Sequence, residues 1–256
     1  MPKVHLITFA DGSPEYHAAG KRLIKQSLLF PQIDIRKVFS SADLGAEYHK
    51  KFKPEITSAK VGFGFYSWKP YIVHQYLNQI SDGDILIYID CGCELNSQGM
   101  IRFDDYLSIT CEYGSLFFEQ HHPLRYWTKR HPKLNTHDFG YRNTLVAGVF
   151  FLQKNSNTVK FSKNWLDLSA IDGGDVLSDP DETEIQQVFF KAHRHDQATF
   201  SLSAYESDVH SIADETFFKY WEYAKEYPIL AFRNRTGSEI LSQKLKKRNI
   251  FKRLGF

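Results

Sequence analysis

Five consecutive apolar residues, Ile85-Leu86-Ile87-Tyr88-Ile89, restrict the fold of this chain more than any other feature of its sequence. A strand that is apolar on both faces must be covered on both faces, as the central parallel strands of α/β sheets are. A turn-forming Ser81-Asp82-Gly83-Asp84 sequence precedes the run, and Asp90 ends it. We therefore expect a strand in the middle of a sheet with helices on both sides.

The N-terminal region predicts the same class. An apolar strand at residues 4–9 leads through a turn into a helix over about residues 15–29, which Pro31 ends. A second strand is expected at residues 33–38. A β-α-β unit of this kind predicts two parallel strands joined by a right-handed crossover.

The remaining sequence predicts more elements of the same kind. Strands are expected at residues 115–118 and 145–152, and helices at 44–53, 70–80, 159–168, 182–193 and 197–203. We expect one α/β, Rossmann-like domain over residues 1–238, with a mixed, mostly parallel sheet flanked by helices. Residues 239–256 would form a basic helical tail.

Length, charge and motifs exclude several function classes. The chain has 256 residues and a formal net charge of +2, which does not favour nucleic-acid binding. It lacks the Gly-x-Ser-x-Gly elbow of serine hydrolases, the Walker A motif and the Gly-x-Gly-x-x-Gly fingerprint. Its longest apolar run, at 145–152, is too short to span a bilayer, and no signal peptide is evident. The expected location is the cytoplasm.

The three cysteines, Cys91, Cys93 and Cys111, indicate a reducing compartment. Their odd number argues against a disulfide scaffold. Their spacing lacks the Cys-x-x-Cys pairs of structural zinc sites. We interpret them as packed or incidental thiols.

Asp90 is the first candidate for a functional residue. Open α/β sheets bind ligands outside the carboxyl ends of their strands, where Asp90 would lie. A carboxylate there can accept hydrogen bonds from a ribose or bind a divalent cation that bridges phosphates. The alternative is an aspartate that caps the following turn, with Gly92 providing the backbone freedom.

Two later features add to this candidate. Ala147-Gly148 places a glycine inside an apolar strand, where it permits close approach of a ligand or of another backbone segment. His195-Asp196-Gln197 opens a predicted helix. The alternative for this triplet is a helix cap formed by Asp196.

Taken in order, the β-α-β opening, Asp90, Ala147-Gly148 and Asp196-Gln197 resemble the nucleotide-sugar glycosyltransferases of the GT-A fold. The likeness is greatest to small bacterial enzymes that build polysaccharide or lipopolysaccharide. In that family a strand ends in Asp-x-Asp; Asp90 matches the first acid, and Gly92 stands at the position of the second. The stretch 64–70 also looks like the segment that precedes this motif.

The resemblance implies roles for residues on the donor side of the site. Thr8, Phe9 and Ala10, at the end of the first strand, would hold the base of the nucleotide. Asp90 would bind the ribose or a metal ion. Ala147-Gly148 would line the donor site.

It also implies the catalytic and acceptor-side residues. Asp196 resembles the residue that contacts the hydroxyls of the donor sugar, and Gln197 the one beneath the anomeric carbon in enzymes that retain configuration. Tyr126 and Trp127, in an irregular aromatic-rich stretch, offer stacking faces for the sugar rings of an acceptor.

A diphosphate leaving group must be stabilised by a metal ion or by fixed cations. The resemblance implies Mn²⁺ or Mg²⁺, with Asp90 and His195 as candidate ligands and Glu94 as a substitute for the missing second acid. Lys69, at a helix start that also favours anions, is the candidate fixed cation. Arg125, Lys129 and Arg130 are the alternatives.

The expected function is therefore transfer of a sugar, of the hexosyl class, from a nucleotide-sugar donor to a glycan or lipid-linked glycan acceptor. The alternative is a non-catalytic nucleotide- or carbohydrate-binding protein on the same fold, since a fold does not determine a function. The reason for this alternative is that Gly92 replaces the second acid, which usually binds the metal ion in the family.

The C-terminal segment predicts contact with a membrane surface. Residues 239–256 contain six basic residues and one acidic residue, interleaved with Leu241, Leu245 and other apolar side chains. A basic amphipathic helix binds anionic bilayers, and each basic residue adds about 1 kcal/mol of attraction. The protein would then be peripheral on the inner face of the membrane. The alternative is a terminal helix that packs Leu241 and Leu245 on the domain.

We predict that the full chain floats with anionic liposomes and that a chain ending at Ser242 does not, because truncation removes all six basic residues of the tail. Flotation through a density gradient measures this directly. Equal recovery of both forms with the liposomes, or of neither, would contradict a membrane role for the tail.

Overall fold

The computed structural model describes residues 2–240, without the side chain of Trp221, and within them strands and helices alternate. The strands are β1 (Val4–Phe9), β2 (Ile35–Phe39), β3 (Ile85–Ile89), β4 (Glu94–Leu95), β5 (Ser115–Pro123), β6 (Asn143–Leu145), β7 (Val149–Gln153), β8 (Ser211–Ala213) and β9 (Ile229–Leu230). The α-helices are α1 (Pro14–Ser27), α2 (Gly45–Lys51), α3 (Pro54–Thr57), α4 (Gly62–Phe65), α5 (Trp68–Gln79), α6 (Met100–Tyr113), α7 (Thr136–Phe139), α8 (Ser156–Ser169) and α9 (His195–Tyr205). The predicted α/β class is confirmed.

Seven strands form one mixed sheet in the order β2-β1-β3-β7-β5-β6, with β8 paired to β5. β1 pairs in parallel with both β2 and β3, as the β-α-β pattern predicted. β7 runs antiparallel to β3 and β5, and β5 runs antiparallel to β6. β4 and β9 form a separate antiparallel pair.

The apolar strand β3 lies between β1 and β7 and is buried on both faces. Ile85, Ile87 and Ile89 belong to the core layer that contains residues of α1 and α6. Leu86 and Tyr88 belong to the opposite layer, with residues of α5, α8 and α9. This two-residue alternation is the strand period. It directs the polar group of Tyr88 toward α5 and α9, the side from which the site is built.

The predicted strand at 145–152 is in fact two strands. β6 ends at Leu145 and β7 begins at Val149, so residues 146–148 turn between them. In this turn the carbonyl of Gly148 accepts a hydrogen bond of 2.8 Å from the backbone N–H of Asp90. The interruption therefore brings Ala147-Gly148 to the end of β3.

The predicted helix at 182–193 is wrong, because these residues form turns and extended backbone. Ile185 and Val188 have helical spacing, but both side chains are exposed. A short helix gains most of its stability from burying its apolar face, and this segment buries neither residue. His193 ends the segment with hydrogen bonds to the Val176 carbonyl and the Lys129 N–H.

A buried arginine links the turn after β3 to the C-terminal part of the described chain. The Arg22 guanidinium, on α1, donates 2.8 Å hydrogen bonds to the carbonyls of Cys91 and Cys93. It also donates to the carbonyls of Asn234, at 3.1 Å, and Thr236. Arg22 therefore connects the turn that contains Gly92 both to α1 and to residues 234–236.

The predicted tail lies outside the described residues except for Glu239 and Ile240. Ile240 donates its backbone N–H to Glu94 Oε1 at 2.8 Å. No helix within residues 2–240 combines the length and apolar character that crossing a bilayer requires. Cys91 and Cys93 are buried free thiols, and Cys111 is an exposed one.

Candidate active site

Asp90, Lys69 and Asp196 meet where β3 ends, α5 begins and α9 begins, and we call them the carboxylate–lysine cluster. Lys69 Nζ lies 2.8 Å from Asp196 Oδ2 and 3.2 Å from Asp90 Oδ1. It also donates to the carbonyl oxygen of Ala147 at 3.3 Å. Lys69 is 2% and Asp196 5% exposed. The sequence motifs that are far apart in the chain are thus brought together.

The segment labelled α4 is a left-handed turn and not a regular helix, and it explains how Lys69 reaches this position. Residues 62–66 all have positive φ, with values of 57, 54, 90, 51 and 62°. Glycine adopts this left-handed conformation without strain, but Phe63, Phe65 and Tyr66 do not. Trp68 secures the turn by donating from Nε1 to the Gly62 carbonyl at 3.0 Å and by stacking on a phenylalanine of β1 at 3.9 Å.

Asp90 is the member of the cluster that a ligand can reach. Its side chain is 42% exposed, while Oδ1 accepts a 2.6 Å hydrogen bond from the Tyr88 hydroxyl. A Cβ on Gly148 would lie 2.7 Å from Asp90 Oδ2, so only glycine leaves room for this orientation. The close approach predicted at Gly148 is therefore made by the Asp90 carboxylate.

The charges of the cluster shift the pKa of its buried groups. Burial opposes the charged form of Lys69, but the attraction of Asp196 and then Asp90 outweighs it and raises the pKa of this lysine. Burial also raises the pKa of Asp196, which the nearby ammonium offsets only in part. Burial, followed by the Asp90 charge, raises the pKa of Tyr88 well above its usual value. At pH 7 the lysine is therefore charged and the tyrosine is a hydrogen-bond donor.

The role predicted for Lys69 is corrected by this geometry. Contact with a diphosphate needs an ammonium that faces solvent, whereas Lys69 is buried against two carboxylates. Two of the three alternatives, Lys129 and Arg125, have other partners. Lys129 is buried and donates to the Asp175 carbonyl at 2.9 Å and to Ser178 Oγ at 3.1 Å. Arg125 lies 3.9 Å above the ring of Tyr141.

Asp196 and Gln197 occupy the first turn of α9. The helix-cap alternative for Asp196 is wrong, since Arg194 is at the cap position and Asp196 pairs with Lys69. Gln197 Nε2 donates to the Leu145 carbonyl at 2.9 Å and to Gln120 Oε1 at 3.1 Å. With its amide nitrogen engaged, the side chain has Oε1 left to accept from a ligand.

Thr8, Phe9 and Ala10 do not have the positions predicted for residues that hold a base. All three are buried, with Thr8 at 0% exposure. Phe9 packs against Trp68 and Phe63. The reason is that the end of β1 is covered by the left-handed turn before α5, so these side chains are part of the core.

Tyr126 and Trp127 are half-buried against the segment that leads into α9. The carbonyl of Tyr126 accepts from the Lys191 N–H at 2.8 Å, and that of Trp127 accepts from the Arg194 N–H at 2.9 Å. The guanidinium of Arg194 lies 4.2 Å from the center of the Trp127 ring. The predicted acceptor-side aromatics are therefore adjacent to the start of α9.

The residues at the cluster do not by themselves form a metal site. Residues 2–240 contain no group of three or more His, Cys, Asp or Glu side chains placed to hold an ion. His195 Nδ1 bonds to the Leu177 carbonyl at 2.8 Å, and buried Glu94 binds Asn234 and Ile240. Mg²⁺ and Mn²⁺ prefer several oxygen ligands, and Asp90 offers one carboxylate that already binds Tyr88 and Lys69.

Sequence reasoning missed three groups at the cluster. Tyr88 shares a strand face with Asp90, so the strand period could have found it. Tyr66, whose pKa is raised by burial and then by Asp196, belongs to the glycine- and aromatic-rich stretch before α5. Arg233 reaches the turn after β3 from far along the chain, and no local pattern marks it.

Comparison with known proteins found similarity only in structure, since no family model and no curated protein matches this sequence. One similar structure is a glycosyltransferase involved in the glycosylation of the major capsid of PBCV-1, at 10% identity and TM-score 0.48, covering 96% of this chain and 99% of that one. Another is mouse xyloside xylosyltransferase 1 in its apo form, at 13% identity and TM-score 0.45, covering 86% and 89%. Both are glycosyltransferases. Similarity at this level carries no conclusion about the family or the function of this chain.

We predict that Lys69→Met lowers the free energy of unfolding by about 3 to 5 kcal/mol at pH 7, because it leaves the buried Asp196 carboxylate without its cation. Adding Asp196→Asn should restore about 1 to 3 kcal/mol, since the uncompensated charge is then removed. Urea unfolding of the wild type, both single variants and the double variant measures this coupling. Strictly additive losses would show that the ion pair does not stabilise the site.

Proposed function

We propose that this protein is a glycosyltransferase that moves a hexosyl group from a nucleotide-sugar donor to a glycan or lipid-linked glycan acceptor. The observation that carries the proposal is the carboxylate–lysine cluster, which unites Asp90, Asp196 and the glycine turn at the carboxyl end of a central strand. This is the edge at which open α/β sheets bind ligands. The order of the sequence motifs supports the same reaction.

Asp90 is the residue proposed to bind the donor. Its carboxylate is half-exposed, and the Tyr88 hydroxyl and Lys69 fix its orientation. A carboxylate held in this way accepts hydrogen bonds from ribose or sugar hydroxyls without further ordering. Loss of such a contact therefore appears mainly as weaker binding.

Gln197 and Asp196 are proposed to act on the transferred sugar. Positive charge develops at the anomeric carbon as the leaving group departs, and a fixed oxygen dipole near it lowers the barrier. The bonds from Nε2 to Leu145 and Gln120 hold the Gln197 amide so that Oε1 can supply this dipole. Transfer with retention of anomeric configuration follows from the match of Gln197 to the family residue.

Two further assignments belong to the same proposal. Tyr126 and Trp127 would stack on the acceptor, next to the start of α9. The basic tail would hold the enzyme on the inner face of an anionic membrane.

Dependence on Mn²⁺ or Mg²⁺ is a separate question, because such an ion would need ligands from the donor phosphates in addition to Asp90. A comparison of activity with EDTA and with added Mn²⁺ tests whether the ion is required.

The second candidate is a non-catalytic binding protein on the same fold. Burial of Asp196, at 5% exposure, favours it, because a residue that contacts a sugar must be reachable. Incubation with a panel of nucleotide sugars, with and without acceptor glycans, separates the two functions. Released nucleotide supports the enzyme, and binding without release under all conditions supports the binding protein.

We predict that Asp90→Asn weakens donor binding by about 10- to 100-fold and leaves the fold intact, since it removes the reachable charge of the cluster. Calorimetric titration with the donor identified from the panel measures the affinity. Asp82→Asn, at an exposed turn, is the matched control and should bind normally. Normal affinity in a folded Asp90→Asn variant would remove Asp90 from the site.

We also predict that Gln197→Ala lowers kcat more than it raises KM, because the proposed contact strengthens as charge develops on the sugar. Steady-state kinetics with saturating acceptor separates the two parameters, and NMR of the product linkage reports the stereochemistry. Near-normal turnover in both Gln197→Ala and Asp196→Ala would exclude these residues from the reaction.

A further inference from the structure

We propose that Arg194 and Arg233 together bind the diphosphate of the nucleotide and do so without a divalent cation. The inference rests on the proposed function, and it assigns to two arginines the charge neutralisation that the second acid of Asp-x-Asp provides through a metal. Its evidence is the position of the two residues beside the carboxylate–lysine cluster and the lack, within residues 2–240, of a carboxylate paired with either guanidinium.

Arg233 is held directly at the position of the missing acid. The backbone N–H of Asn234 donates to the Gly92 carbonyl at 2.8 Å. The Cα of Arg233 is 3.5 Å from where a Cβ on Gly92 would lie. Arg233 has a φ of 53°, a left-handed conformation that is uncommon for an arginine. Arg233 is exposed, and its strained backbone lies against Gly92, which is two residues after Asp90.

Arg194 approaches from the other side of the carboxylate–lysine cluster. It occupies the cap position of α9, two residues before Asp196. Its guanidinium lies over the face of Trp127, at 4.2 Å, and this packing fixes its direction. The two arginines thus lie on two sides of the cluster, Arg194 next to Asp196 in the chain and Arg233 against the turn that follows Asp90.

The charges of Arg194 and Arg233 act on each other and have no anionic partner among the described residues. Burial, and then repulsion by Arg233, lowers the pKa of Arg194. No carboxylate in residues 2–240 lies within 4.0 Å of either guanidinium. An anion that contacted both guanidinium groups would relieve this repulsion.

A diphosphate fits this pair better than other anions do. Each guanidinium presents a planar fork of donors that can bind phosphate oxygens in a bidentate manner. Two forks match the two phosphate groups of a nucleoside diphosphate, and a monophosphate can engage only one fork fully. The site should therefore prefer diphosphates over monophosphates, and the preference should survive removal of divalent cations.

Calorimetric titration in EDTA tests this proposal, with UDP, GDP and CDP each compared with its monophosphate. We expect at least one diphosphate to bind about tenfold more tightly than its monophosphate. Arg233→Gln and Arg194→Gln should each remove this preference. Arg194→Lys, which keeps the charge and loses the fork, should lose part of it. Arg142→Gln is the matched control, because Arg142 also packs on an aromatic ring, that of Tyr205, but at the far end of α9.

Diphosphate binding that requires Mn²⁺ or Mg²⁺, or a preference that both glutamine variants retain, would overturn the proposal. Tighter binding of geranyl diphosphate than of every nucleoside diphosphate would overturn the assignment to a nucleotide. Arg233 is exposed, so its variant is expected to fold, and circular dichroism verifies this for each protein. Failure of the proposed function can be distinguished from failure of this inference. If only the proposed function is wrong, the diphosphate still binds but no nucleotide sugar is turned over.

Discussion

The buried ammonium of Lys69 is the interaction on which the geometry of this site depends. It pairs with both Asp90 and Asp196, and it thereby joins the end of β3 to the first turns of α5 and α9. Removing an ammonium from water costs several kcal/mol, and only well-placed anions offset that cost. The three elements are therefore not free to move apart without exposing or isolating a buried charge.

The carboxylate–lysine cluster carries a net negative charge, and the two arginines near it are positive. Lys69 compensates two carboxylates, so one negative charge remains, and Asp90 presents it at the surface. Arg194 lies two residues before Asp196, and the backbone of Arg233 packs against Gly92, so both arginines are near these carboxylates. A nucleotide sugar has the complementary polarity, with hydroxyl donors on its sugars and anionic charge on its phosphates.

Features that depend on a local sequence pattern could be predicted, and features that depend on tertiary packing could not. The apolar run Ile85–Ile89 identified the central strand, because burial on both faces leaves no other composition. Asp90 and Gly148 stood out because an acidic residue at the end of an apolar strand and a glycine inside an apolar run are both unusual. The ion pairs of Lys69 could not be predicted, since they depend on how α5 packs on the sheet. The prediction of a helix at 182–193 was wrong because the spacing of apolar residues does not show whether another element covers them.

The Arg22 hydrogen bonds have a consequence for the order in which the protein forms. Arg22 and the turn after β3 are synthesised early, yet two of the carbonyls that Arg22 binds belong to Asn234 and Thr236. Until Asn234 and Thr236 are in place, this buried guanidinium therefore has only half of its carbonyl partners, at the turn beside Asp90.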